Sequence, residues 1–464
     1  MLRKKASTGY VMDMCSGSIL KKILLFSIPL MCSSVLQLLF NAADIIVVGK
    51  FAGDHSLAAV GSTTSLVLLM TNLFTGIAVG GNVLAARYFG AQREEDLTET
   101  VHTSMALGLV SGIFLTFVGC ILAPEILVWM QTPEEILGLA ALYLRIYFVG
   151  MTSVMVYNFG SAILRAVGDT QRPLHYLLFS GVVNVVLNLF FVIVFKMDVA
   201  GVALATAISQ TLSAILIVRC LIRETSGIHL ELKEIRFHKQ KVKLILKIGL
   251  PAGIQGTLFS FSNTVIQSSI NGFGAVVVAG SAAAFNLESF IYVAMNALYQ
   301  AAISFTSQNF GAGKLSRIIK ILFTTEICVV VTGLAMGGGA VLFAPQLLGL
   351  YTSSPDVIAA GIQRLSIVAT FYVLCGMMDV MVGMLRGLGC TIMPMIVSLI
   401  GACGLRVLGV LVLFRIERFH KITTIYYMYP ITWIITFLTH VVCFCLVWRK
   451  VKHEWAKSGK AVLS

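Results

Sequence analysis

Apolar runs long enough to cross a membrane recur from Leu20 almost to Trp448, broken by short polar segments. Inside hydrocarbon every backbone N–H and C=O must be satisfied internally, which leaves helices or a closed barrel. Barrel strands are segments of about ten residues that alternate in polarity. A spanning helix needs about 17–25 residues, predominantly apolar, and the runs here have that character. Only 12% of the 464 residues are charged and 58% are hydrophobic, whereas a soluble domain carries about 25% charge. The expected fold class is an all-α polytopic membrane protein. Its spans are predicted near 20–47, 56–84, 98–122, 137–163, 173–195, 199–222, 243–270, 276–306, 317–343, 357–383, 392–414 and 423–448.

The net charge of +13 would suggest nucleic acid in a soluble chain. Here the positive residues sit between spans, so retention of Lys and Arg on the cytoplasmic side explains them and no nucleic-acid partner is expected. Arg3, Lys4, Lys5, Lys21 and Lys22 precede span 1, and Arg87 and Arg93 follow span 2. Lys314, Arg317 and Lys320 follow span 8, and Arg449, Lys450 and Lys452 follow span 12. The opposite loops, such as "APEILVWMQTPEE", "NGFGA" and "YTSSPD", carry no Lys or Arg. Both termini are therefore expected in the cytoplasm, with the protein in a bacterial inner membrane. Arg415, Arg418 and Lys421 dissent, lying after span 11 on the predicted outer side. The N-terminus "MLRKKASTGY" has no small-residue cleavage site, so no cleaved signal peptide is expected. The ten cysteines are scattered without a CxxC pair and the eight histidines lack zinc spacing. Small apolar fillers are the reading for the first, and no metal is expected.

The chain also repeats itself. "LRAVGDTQRP" at Leu164 returns as "LRGLGCTIMP" at Leu385, 221 residues on. "FGA" at Phe89 and Phe310, and "APEIL" at Ala123 with "APQLL" at Ala344, keep the same offset. Pro29 with Pro251, and Pro133 with Pro355, are 222 apart. A duplicated unit of six spans follows. Six is even, so both copies enter the membrane alike and are expected to be related by a pseudo-two-fold axis along the membrane normal. The expected division is an N-lobe over 1–222, a linker over 223–241 and a C-lobe over 242–464. Two lobes able to rock suit alternating access, and the absence of a GxxxxGK[ST] loop points to an ion gradient rather than ATP.

Taken together in this order, "LLFNAADIIVVGKFAG", "ARYFGAQ", "LRAVGDTQRP", "SQNFGAGK" and "MLRGLGCTIMP" resemble the multidrug and toxic compound extrusion (MATE) family, over essentially the whole chain. The apolar texture leans toward its DinF/MepA-like branches rather than the NorM branch. The resemblance implies a twelve-span antiporter of two six-helix lobes, monomeric, exporting small organic cations against inward H⁺ or Na⁺, with no other cofactor.

An ionisable residue inside a span costs about 2.5–3.5 kcal/mol or more, so each is a functional candidate. Asp44 lies deep in span 1 with Phe40, Asn41, Val47 and Val48 one turn away and no cation among them. Such a carboxyl suits exchange of a proton, or holding Na⁺ or an organic cation, and the family's span-1 Asp aligns with it. In span 5, Asn184 and Asn188 are four apart on one helix face. Thr206 lies in span 6, and the resemblance implies a role for it. Oxygen ligands from these residues with one carboxylate would make a monovalent-cation site, with Asn41 as a further member. Asn188 stands where family members often have Asp, which weakens the case for Na⁺ and favours a proton on Asp44. Bridging between helices is the alternative for both Asn residues.

Glu288 in span 8 and Asp379 in span 10 either bind substrate or pair structurally, with Arg406 a possible partner. Asp44, Gln37, Tyr292 and Met378 complete the expected substrate-binding set, the Met-rich run Met377–Met384 suiting a plastic pocket. Arg165, Gly168, Arg386 and Gly389 are read as cytoplasmic gate and topology residues. The leading function is a cation-coupled exporter of amphipathic organic cations. A lipid-linked precursor flippase of the same superfamily is the alternative. No nucleophile–base pair or metal cluster marks an enzyme.

Overall fold

The computed structural model describes residues 10–225 and 227–458. Helices account for nearly all of them, and no strand occurs among the described residues. In chain order the helices are α1 (Ile19–Phe51), α2 (Asp54–Gly90), α3 (Glu94–Trp129), α4 (Glu134–Val149), α5 (Met151–Ala166), α6 (Gln171–Leu189), α7 (Asp198–Arg223) and α8 (Lys239–Asn271). They continue as α9 (Ala275–Gly311), α10 (Leu315–Leu342), α11 (Ala344–Gly349), α12 (Pro355–Val368), α13 (Tyr372–Gly387), α14 (Ile392–Ser398), α15 (Leu405–Leu413) and α16 (Ile422–Ser458). A π-helical stretch, Phe190–Val194, extends α6, and Leu399–Gly404 joins α14 to α15.

Among the described residues, ten helical segments are long and apolar enough to cross a membrane, and two bent pairs bring the number to twelve. The chain is thus a multi-pass membrane protein. The bent pairs occupy the spans expected over 137–163 and 357–383. α4 and α5 meet at 45°, and α12 and α13 at 46°. Gly150 marks the first break. A Cβ there would lie 2.9 Å from the Cα of Ala207 on α7, so only glycine lets the two backbones approach so closely.

The chain separates into two compact units. One holds Met1–Asp13 and Cys32–Gly253, the other Met14–Met31 and Ile254–Ser464. The division does not fall in the connector. It falls inside α1 and α8, two residues after Pro29 and Pro251, where the missing N–H weakens the helix.

The described residues of the 223–241 segment, expected as the linker between lobes, pack on the first unit. Ile228 and Leu230 are 0% and 1% exposed. The N–H of Leu230 donates to the Leu221 carbonyl at 3.1 Å, and the Thr98 hydroxyl donates to the Gly227 carbonyl at 3.3 Å. The Glu231 N–H donates to His102 Nε2 at 3.0 Å, and Lys241 reaches Asp96 and, at 3.5 Å, Glu99. An alternating apolar pair inside a polar stretch was the available signal.

Duplication is visible in the turns of each unit taken separately. The N–H of Gly168 donates to Arg165 and that of Asp169 to Leu164, both at 3.0 Å; Gly389 and Cys390 do the same to Arg386 and Leu385 at 2.8 and 2.9 Å. Gly168 and Gly389 have φ of +87° and +88°, the left-handed helix end that glycine adopts without strain. Gln92 and Gly313 close α2 and α9 in the same way.

Helix association in lipid relies on close backbone approach by small residues. In the first unit, Gly76 and Gly80 of α2 face Gly249 and Gly253 of α8, one turn apart on each helix. A Cβ on Gly76 would sit 2.1 Å from the Gly253 nitrogen, and one on Gly253 would sit 2.2 Å from the Leu73 carbonyl. Backbone cannot yield as a side chain does. Gly253→Leu is therefore expected to cost more than the about 1–3 kcal/mol typical of overpacking. Thermal melting of the purified variant checks this, and a parental melting curve would refute the crossing.

Candidate functional site

The first unit brings Asp44 together with three of the polar residues expected beside it. Placement begins with a tight contact. A Cβ on Gly181 of α6 would overlap the Phe40 ring at 1.8 Å, so glycine lets α1 lie against α6 at this level. One turn further along α1, Asp44 meets Asn188 of α6. The Asn188 amide N–H donates to Asp44 Oδ1 and also to Asn184 Oδ1 at 3.2 Å. Asn184 Nδ2 donates to Thr206 Oγ1 at 3.3 Å, and that hydroxyl lies 3.5 Å from Asp44 Oδ2. Asn188 is 0% and Asn184 4% exposed, while Asp44 and Thr206 are partly buried. The π-helical stretch begins two residues after Asn188, a distortion frequent at functional sites.

These contacts form one network in which neutral donors converge on a single carboxylate. No cation lies within ion-pair distance of Asp44 among the described residues. Asn188 Oδ1 is buried without a hydrogen-bond partner among the described residues. Tyr143 and Tyr147 of α4, stacked with centroids 5.9 Å apart, lie within electrostatic reach of Asp44. The sequence reading missed both tyrosines, although their four-residue spacing in a span was visible. Asn41 and Gln37 are exposed on α1 and make no hydrogen bond to the cluster among the described residues.

The second unit treats its carboxylates differently. Glu288 of α9 forms a two-pronged ion pair with Arg364 of α12. Arg364 Nε donates to Oε1 and its terminal nitrogen to Oε2, both at 2.8 Å, with the side chains 3% and 2% exposed. The Arg364 guanidinium also lies 5.6–5.8 Å from the centroids of Phe285, Tyr426 and Tyr429. Glu288 is thus occupied by a partner that the sequence reading did not weigh. Arg406 serves neither carboxylate: it donates to Thr432 at 3.4 Å and sits 4.2 Å over the Tyr429 ring.

Asp379 is partly buried and accepts no hydrogen bond among the described residues; Tyr292, Tyr372 and Arg386 lie within its electrostatic reach. Tyr292 is 42% exposed. Met378 is 1% exposed, in a core cluster with Ile266, Val368 and Trp433, and Met381 and Met384 are buried as well. This part of the Met-rich run is core packing. Arg386 is buried too, bonded to the Tyr299 hydroxyl and, at 2.9 Å, to Gln255 Oε1. Glu326 of α10 was also missed. Both of its carboxylate oxygens are buried without a hydrogen-bond partner among the described residues, and a lone acid within "LFTTEICVVV" was the signal.

Comparison with known proteins agrees with this architecture. A family model described as MatE matches residues 29–190 and again 251–412, the same model at an offset of 222. The probable multidrug resistance protein YpnP of Bacillus subtilis (strain 168) is 30% identical over 397 residues, covering 85% of this chain and 88% of that protein. The multidrug export protein MepA of Staphylococcus saprophyticus is 24% identical, covering 82% of this chain and 85% of its own length. A solved structure described as the outward-facing conformation of a multidrug resistance MATE family transporter of the MOP superfamily shares the fold. Its TM-score is 0.90 at 23% identity, over 97% of this chain and 100% of that one. With both halves matched by one family model and a relative aligned along most of its length, the chain belongs to the multidrug and toxic compound extrusion (MATE) family.

Proposed function

We propose that the protein is a secondary active multidrug efflux antiporter, exporting amphipathic organic cations in exchange for H⁺ or Na⁺ by alternating access. The carrying observation is the Asp44 carboxylate, held by Asn188 and Thr206 and lacking a cationic partner among the described residues. A small inward-moving cation and an organic cation can both satisfy that charge, and mutual exclusion at one carboxylate is the simplest basis for exchange. The partly exposed Tyr147 ring, backed by the buried Tyr143, adds a π face for a cationic cargo. The names of the similar proteins YpnP and MepA support multidrug cargo. The proposed setting is a bacterial inner membrane with both termini in the cytoplasm, and the working unit a monomer.

The donor set favours the proton. The Thr206 hydroxyl can donate to a charged Asp44 or turn and accept from a protonated one. Asn188 points an N–H at the carboxylate, so Na⁺ would require its amide to turn, giving up the bond to Asn184. In proteoliposomes, a proton gradient imposed in Na⁺-free buffer is expected to drive efflux of an ethidium-type dye. Efflux that responds to a Na⁺ gradient and not to pH would reverse the choice of ion.

A further inference from the structure

The turn between α9 and α10 borders a groove of about 650 Å³ that the transport reading leaves unused. Lys314, Arg317 and Lys320 line it, together with Gly313, Ser316 and Trp455 of α16. The left-handed Gly313 lets the indole settle on the turn, since a Cβ there would lie 2.7 Å from the ring. Lys314 Nζ donates to the Cys15 carbonyl at 2.9 Å. Arg317 donates to the Met14 carbonyl at 3.2 Å and to that of Ser16 at 2.8 Å. Carbonyls fix these side chains without neutralising them. Lys320 is exposed, and none of the three cations has a carboxylate partner among the described residues.

The repeat shows how unusual that is. At the offset of 221, Asp96 and Glu99 of the first unit occupy the positions of Arg317 and Lys320, and they hold Lys241 from their own unit. One copy of the turn is acidic and supplied with an internal cation. The other is basic and has no internal anion among the described residues. α10 starts here and α16 ends here, so the groove lies at the membrane–water boundary, where Trp side chains and phospholipid phosphates both reside.

We infer that this groove binds the phosphate of an anionic phospholipid headgroup, with Lys314, Arg317 and Lys320 contacting the phosphate and Trp455 lying along the glycerol and upper acyl region. Basic pockets at the ends of spanning helices take such headgroups.

The test is native mass spectrometry of the full-length, detergent-purified protein titrated with dioleoyl phosphatidylglycerol. One tightly retained lipid is expected, with dioleoyl phosphatidylcholine binding far more weakly. Lys320→Gln, which breaks no internal bond, is expected to weaken retention about fivefold, the effect of removing a cation next to an anionic headgroup. Lys320→Arg should restore it. Lys452→Gln removes an exposed cation outside the groove and should leave retention unchanged. Equal loss in Lys320→Gln and Lys452→Gln would mean diffuse surface charge and overturn the site. Displacement of the lipid by inorganic phosphate at the same concentration would mean a free-anion site and overturn the lipid assignment.

Discussion

Asp44→Asn is expected to reduce dye efflux in energised proteoliposomes to that of protein-free vesicles, with expression and melting behaviour preserved. The substitution is nearly isosteric. The carbonyl oxygen of the introduced amide can still accept from Asn188, and its NH₂ can donate to the Thr206 hydroxyl. The two bonds that Asp44 makes thus have neutral counterparts, so the packing can persist without the charge. What disappears is the charge, and with it the means to hold a proton or a cation in exchange. Drug resistance in a transporter-deficient bacterial host offers a second readout. Full resistance from the Asp44→Asn variant would place coupling elsewhere, and Asp379 and Glu326 would be the next carboxyls to test.

The second large effect lies in the Glu288–Arg364 pair. Removing one member of a buried ion pair leaves an uncompensated charge and costs about 3–5 kcal/mol, whereas replacing both by well-packed apolar residues is often close to neutral. Glu288→Gln or Arg364→Met alone should therefore melt well below the parent. The double variant Glu288→Met/Arg364→Leu should recover most of the loss at the same scan rate. Membrane proteins of this size commonly unfold irreversibly, so the comparison is one of rates under fixed conditions. If Glu288 instead bound cargo while contributing little to packing, single variants would melt normally and lose transport selectively.

These two carboxylates also show what could be read from the chain. Asp44 was legible because an acid in an apolar run has few explanations, Asn184 and Asn188 because their four-residue spacing puts them on one helix face, and Thr206 through the family resemblance. The duplication was legible because turn chemistry at Gly168 and Gly389 constrains sequence tightly. Arg364 was not recognised because pairing across α9 and α12 depends on tertiary packing, which no local spacing encodes. The same holds for Tyr143 and Tyr147, whose relation to Asp44 depends on how α4 packs. The bends at Gly150 and near Ala369 lack a proline, so hydropathy reads straight through them. The docking of the 223–241 connector rests on two apolar side chains, Ile228 and Leu230, within a stretch whose charge reads as solvated linker, and on a bond to His102 of α3.

Asp44 as the shared site of proton and cargo is tested most directly by proton release on ligand binding. Detergent-solubilised protein in weakly buffered solution is mixed with a cationic dye, and a pH indicator follows the medium. Competition at one carboxylate predicts that wild-type protein releases protons as the dye binds and that Asp44→Asn releases none. Saturable dye binding to the wild type without proton release at any pH from mildly acidic to neutral would contradict the account.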